Sequence, residues 1–232
     1  MKSATCILSL LLLGFTCKKE VTAYFPKEYK LSDEQIGGGK TLIYQNKSTA
    51  EKTYTDLQLI TTGGKNYRSE KRYNNAITTD SMVSANGKLL EIYEFFTPAN
   101  LSGVKGEIIL DTIIVKNKVA KRQENILFKM GQMRYEFKYE EELVKDTTLS
   151  WQGKQVEAIL IKAVAYAAFK RMGEEKARQS WQIVSNAYHG KGIGMILNIV
   201  ETKDQAGRRS YDEWMLTGIK ELSAKNSLTA MR

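Results

Sequence analysis

The chain has 232 residues, of which 42% are apolar, 26% charged and 9% aromatic, and its net charge is +9. That length builds one large domain or two small ones, and the composition is that of a globular protein rather than a disordered or fibrous one. The basic residues are dispersed among acids, as in Lys65-Asn66-Tyr67-Arg68-Ser69-Glu70-Lys71-Arg72. Such a run reads as a solvated strand face rather than a phosphate track, so nucleic acid is not an expected partner.

Met1 to Lys19 has the layout of an export signal. Lys2 is followed by a charge-free stretch, Ala4 to Phe15, whose apolar core is Ile7-Leu8-Ser9-Leu10-Leu11-Leu12-Leu13. This run is too short for a hydrocarbon core ~30 Å thick, which takes about 20 residues. Lys18, Lys19 and Glu20 close it, as they would the apolar region of a signal peptide. The chain has two cysteines, and Cys6 would leave with the signal. Cys17 would then have no disulfide partner in the exported chain. Cleavage after Ala23, at Val21-Thr22-Ala23, is an alternative that would leave Lys18, Lys19 and Glu20 between the apolar core and the cut.

Gly14-Phe15-Thr16-Cys17 resembles a bacterial lipobox, and Cys17-Lys18-Lys19-Glu20 is similar to the charged tetrapeptide of lipoproteins of the Bacteroidota type. The resemblance implies a signal peptide over 1–16. It implies a diacylglycerol on the Cys17 thiol and a further acyl chain, such as palmitate, on the new amino terminus. Two or more acyl chains anchor a protein stably where one does not. The implied address is the outer membrane of a Gram-negative bacterium, on its periplasmic or cell-surface face.

The span 17–39 is expected to be a flexible tether, polar and marked by Pro26 and Gly37-Gly38-Gly39,. Gly39-Lys40-Thr41 is not a phosphate loop, because Glu34 stands where a glycine is required and the strand-like Leu42-Ile43-Tyr44-Gln45 follows,.

From Lys40 onward the signals are β. Tyr54 to Thr61 alternates, Gly63-Gly64 marks a turn, and Tyr67 and Tyr73 fall in phase on a polar strand,. Asn86-Gly87, between Ile77–Ser84 and Lys88–Phe96, is a hairpin signal because both residues accept positive φ,. The β-branched run Glu107 to Val115 predicts a strand buried on both faces, or two short ones. In Met130 to Tyr139 one face carries Met133, Tyr135, Phe137 and Tyr139, the other Gln132, Arg134, Glu136 and Lys138; Glu140-Glu141-Glu142 is expected to end it,. Leu149 to Val164 reads as a hairpin turning at Gln152-Gly153-Lys154. Ala165 to Arg178 is either a helix or a hairpin turning at Met172-Gly173-Glu174, and the poor helical spacing favours the hairpin. Two further hairpins follow, through Gly190 to Gly194 and through Asp204 to Gly207.

The sum is about ten to twelve short strands. They predict a mainly β, single antiparallel domain over 40–222. A curved sheet or half-barrel is expected, with a β-sandwich as the alternative, at most one short helix near 165–178, and a frayed tail over 223–232. The hairpin Tyr188-His189-Gly190-Lys191-Gly192-Ile193-Gly194-Met195-Ile196, with Trp214-Met215-Leu216 after it, is similar to the closing hairpin of exported lipoproteins. Several of those have curved sheets like the LolA and LppX lipid carriers. This resemblance implies a sheet wrapped around an apolar concavity.

No residue set predicts catalysis, a metal or a cofactor. His189 is the single histidine and has no usual zinc-ligand partners, and no glycine-flanked serine nucleophile exists,. Glu140, Glu141 and Glu142 alternate between faces and cannot pair as neighbours. The residues proposed to line a ligand site are Met133, Tyr135, Phe137, Trp151, Trp181 and Trp214, with the hydrophobic core as their other destination. The function expected is that of a non-enzymatic, lipid-anchored protein holding a hydrophobic or amphiphilic small molecule. The alternative is a surface structural or adhesion module that binds protein or glycan through its loops.

Overall fold

The computed structural model describes residues 27–222 apart from 63, 75–76, 86–87, 95–103 and 117–120. A 3-10 turn, Lys27–Tyr29, and a one-turn helix α1, Asp33–Ile36, precede twelve strands. These are β1 (Lys40–Asn46), β2 (Lys52–Thr62), β3 (Lys65–Asn74), β4 (Ile77–Ala85), β5 (Lys88–Glu94) and β6 (Val104–Lys116). They continue with β7 (Lys121–Met130), β8 (Met133–Trp151), β9 (Lys154–Arg171), β10 (Gln179–Gly190), β11 (Gly194–Asp204) and β12 (Arg209–Glu221).

The domain is mainly β and wholly antiparallel, as expected. Each strand pairs with its neighbours in sequence, and β1 pairs on its other edge with β12, so the curved sheet returns to its start as a barrel. The thinnest seam is β5–β6, with three residue pairs from Ile92↔Gly106 to Glu94↔Val104. Turn chemistry accounts for the tight hairpins. Between β8 and β9, Gln152 (φ 49) and Gly153 (φ 76) both take the left-handed conformation, which matches the twist of the flanking strands.

Directly paired residues share a face, so the register carries one face around the sheet. On β9 the inward residues Ile159, Ile161, Ala163, Ala165 and Ala167 are all buried, whereas Lys162, Val164 and Tyr166 between them are exposed. The same face continues through Tyr135↔Phe169, Phe137↔Ala167, Tyr139↔Ala165 and Glu141↔Ala163 onto β8. It continues through Ala167↔Trp181 and Ile159↔His189 onto β10. The opposite face of β8 carries Arg134, Glu136, Lys138, Glu140 and Glu142 in alternate positions. A face so charged is unsuited to hydrocarbon.

One open alternative is decided and three expectations are corrected. First, the favoured hairpin is present at 165–178 in place of a helix: β9 runs to Arg171, and the chain turns at Met172-Gly173-Glu174, where Gly173 has φ 84. Second, β6 is one strand and is not buried on both faces, since Ile109 is 52% exposed. Its apolar run is divided by a register shift between Ile108 and Leu110. Third, the three glutamates do not end β8, which is 19 residues long. They stay in the ladder because β7 supplies their countercharges: Lys121 Nζ lies 3.7 Å from Glu140 and 3.0 Å from Glu142, and Arg122 takes Glu141.

The last correction concerns the tether, whose second half is docked. Ser32 caps α1 in a reciprocal capping box with Gln35, satisfying donors that a short helix would leave open,. Leu31 and Ile36 are buried with Leu42, Tyr44, Leu57 and Leu216, the main apolar cluster among the described residues. Gln35 Nε2 donates to Gly192 O (2.8 Å), and Gly192 N donates to Glu28 O (2.5 Å). The segment is thereby fixed to the turn between β10 and β11. Cys17, the signal region and the tail 223–232 lie outside the described residues.

Candidate functional site

The inner face of β7 to β10 holds two zones. Near the β7–β8 turn, four aromatic rings on four consecutive strands form a ladder. Phe128 stacks on Tyr135 (centroids 4.9 Å, planes 2° apart), Tyr135 meets Phe169 at 5.8 Å, and Phe169 meets Trp181 at 5.7 Å. Cross-strand aromatic contacts of this kind stabilise by about 0.2–1 kcal/mol each. Phe137 lies one step further along the same face yet is 37% exposed. An inward-facing phenylalanine that water reaches marks open space inside the sheet. The neighbouring β9 contributes only alanines at this level, Ala163, Ala165 and Ala167, so little side-chain volume fills it.

Beyond Phe137 the inner face turns polar. Arg122 bridges two buried carboxylates, Glu124 (NH2 to Oε2, 2.5 Å) and Glu141 (NH1 to Oε1, 3.2 Å). Tyr139 donates to Glu141 Oε2 at 2.7 Å. From the facing wall, β3 brings Arg68, whose Nε is 3.3 Å from Glu70 Oε1 without hydrogen-bond geometry. Register puts Arg68 opposite Leu59 and Glu70 opposite the buried Leu57, so this charged pair is on the inner face.

Lys30, from the docked N-terminal segment, enters the same field. Burial lowers its pKa, as do the charges of Arg68 and Arg122 beside it, against the opposing pull of Glu141 and Glu70. Its side chain nevertheless remains accessible to water, the condition of a group in an enclosed, wet space. Burial, and then the charge of Lys30, drives His189 down to about 4, so the imidazole is neutral at pH 7. Burial and the adjacent Glu141 carboxylate raise Tyr139, which stays protonated. Among the described residues no three His, Cys, Asp or Glu side chains are grouped to hold a metal ion.

The six residues proposed as lining divide. Met133, Tyr135 and Phe137 share the inner face of β8, and Trp181 joins them through Phe169. Trp151 and Trp214 pack instead against the apolar cluster at the other end, where Trp151 Nε1 donates to Leu216 O at 2.7 Å. The charged zone was missed. The run Lys65–Arg72, read as a solvated face, places Arg68 and Glu70 inward. Its signal was the recurrence of Arg-x-Glu at 68–70 and again at 122–124, since residues two apart on a strand share a face.

No protein-family model matches the chain, and no curated protein matches it. A solved structure similar to it is that of a candidate lipoprotein from Parabacteroides distasonis. Identity is 10%, the TM-score is 0.43, and the match covers 78% of this chain and 95% of that one. A likeness of that degree has no bearing on function.

Proposed function

We propose that this chain is an exported, lipid-anchored protein, without enzymatic activity, whose inner sheet face holds an apolar or amphiphilic small molecule. The observation that carries the reading is Phe137: an inward aromatic, open to water, between the aromatic ladder and the charged zone of Arg122, Glu141 and Lys30. An apolar chain lying over Phe137 would remove its ring from water, at about 25 cal/mol per Å² of apolar surface covered. A polar head would meet the charged zone. The test titrates the full chain in detergent-free nanodiscs with a fluorescent fatty acid. Saturable binding that weakens on Phe137→Asp is expected; an absence of saturable binding would remove the proposal.

The anchor rests on Gly14-Phe15-Thr16-Cys17 and on the lack of any other role for that thiol. Cys17→Ser should abolish acyl labelling and release the protein from the membrane fraction. A variant that stays membrane-bound without accumulating unprocessed chain would refute lipidation at Cys17.

A further inference from the structure

A second concavity lies chiefly on the outer face of the same strands and is also bordered by Phe169 of the aromatic ladder. It is a depression of about 190 Å³ beside the turn between β9 and β10, lined by Arg134, Glu136, Tyr166, Ala168, Lys170 and Glu175 among others. Arg134 and Lys170 are direct cross-strand partners, as are Glu136 and Ala168. Two cations placed opposite each other repel, and sheets ordinarily avoid the arrangement or neutralise it. Here neither cation makes an ion pair or a side-chain hydrogen bond with the described residues, and Glu136 is taken by Lys138 at 3.1 Å. The Nε of Arg134 is buried and has no hydrogen-bond partner. A buried donor left open costs about 1–3 kcal/mol, and no acidic side chain among the described residues has been drawn in to relieve it. Tyr166 presents an aromatic ring at the rim, 43% exposed.

We propose that this depression is a subsite for an acidic sugar. The Arg134–Lys170 pair takes the carboxylate, since a guanidinium next to an ammonium is suited to a planar oxyanion. Tyr166 offers its face to the sugar ring. The carboxylates of Glu136 and Glu175 accept from ring hydroxyls, which is why acids line an anion site. An acidic peptide such as triglutamate would use the cations but brings no ring to lie on Tyr166. The size fits one ring rather than a chain. The site is independent of the inner-face ligand and stands whether or not that ligand exists.

The test is calorimetric titration of the full chain with trigalacturonic acid, its methyl ester and triglutamate. Saturable binding of trigalacturonate is expected, with none measurable for the methyl ester and much weaker binding of triglutamate. Loss of one charge-assisted contact, by Arg134→Gln or separately by Lys170→Gln, should weaken binding about tenfold, with thermal unfolding unchanged as the check on folding. Tyr166→Ala should weaken it several-fold. The proposal is overturned by no saturable trigalacturonate binding, by equal binding of the ester or of triglutamate, or by binding that both cation variants retain.

Discussion

Gly190→Ala tests the packing that seats the turn to which the N-terminal segment is fixed. A Cβ on residue 190 would lie 2.3 Å from Ile196 Cδ1, 3.2 Å from Ile196 Cγ1 and 3.1 Å from Val156 Cγ1. Carbon atoms pack at about 3.5–4.0 Å, so at least one neighbour has to move. The tip of an isoleucine can rotate, but Ile196 is 1% exposed, and Val156 closes the other side. Forcing one methyl into such a place costs about 1–3 kcal/mol. In a domain of this size each kcal/mol lowers Tm by about 2–4 °C. Ile196→Val removes the atom at 2.3 Å and alone should cost about 0.5–1.5 kcal/mol. If the clash governs the effect, the double variant is no less stable than Gly190→Ala, and the double-mutant cycle shows a favourable coupling of about 0.5–3 kcal/mol. The assay is urea unfolding followed by tryptophan fluorescence on all four proteins. An additive cycle, or a Gly190→Ala protein within about 0.5 kcal/mol of wild type, refutes the reasoning.

The pH profile follows from His189, whose folded pKa of about 4 lies below its ordinary 6.5. The unfolded chain therefore binds the proton more readily, so this stabilisation is complete above pH 6.5 and is lost as pH falls toward 4. It amounts to about 3 kcal/mol at most, at 1.36 kcal/mol per unit, and His189→Gln should flatten that stretch of a stability-against-pH curve. Arg122→Met takes the guanidinium away from the buried Glu124 and Glu141, which are 8% and 7% exposed, and should cost about 3–5 kcal/mol in urea unfolding at pH 7. Arg122→Lys, which keeps a positive charge, should recover part of the loss; an equal loss in both variants would mean that packing and not charge is responsible. Trp151→Phe removes the donor to Leu216 O and should cost about 1–3 kcal/mol, while a neutral effect would show that water replaces the indole.

Local patterns were readable where a strand has one dry and one wet side. Met133, Tyr135, Phe137 and Tyr139 share a face because alternation alone dictates it, and the turns at Gly153 and Gly173 announce themselves through glycine's access to positive φ. Alternation does not say which face looks inward, however. Arg68 and Glu70 looked solvated because nothing within β3 says which of its sides turns inward; their ion pair is with each other, and the charges of Lys30, Arg122 and Glu141 join that field only once elements distant in sequence have come together. The glutamates of β8 looked like a strand end for the same reason: Lys121 and Arg122 lie beside them only once β7 and β8 have paired. Closure of β1 on β12 is likewise a property of accumulated twist and not of any one strand. The docking of Ile36 was hidden by its setting, one apolar residue among polar and glycine neighbours.

The docked N-terminal segment shortens the leash. With Cys17 as the anchor, only about ten residues separate the lipid from Lys27, and at ~3.3–3.6 Å each they reach at most ~35 Å. Under the proposed lipidation, the Gly192 end of the sheet would be held toward the bilayer that carries the lipid. The aromatic ladder belongs to the opposite end, and the strand that leads there, β8, is 19 residues, or ~60 Å of extended chain. A ligand drawn from the anchoring membrane would have to pass the docked segment, whereas one delivered from the facing side would meet the aromatic rings first.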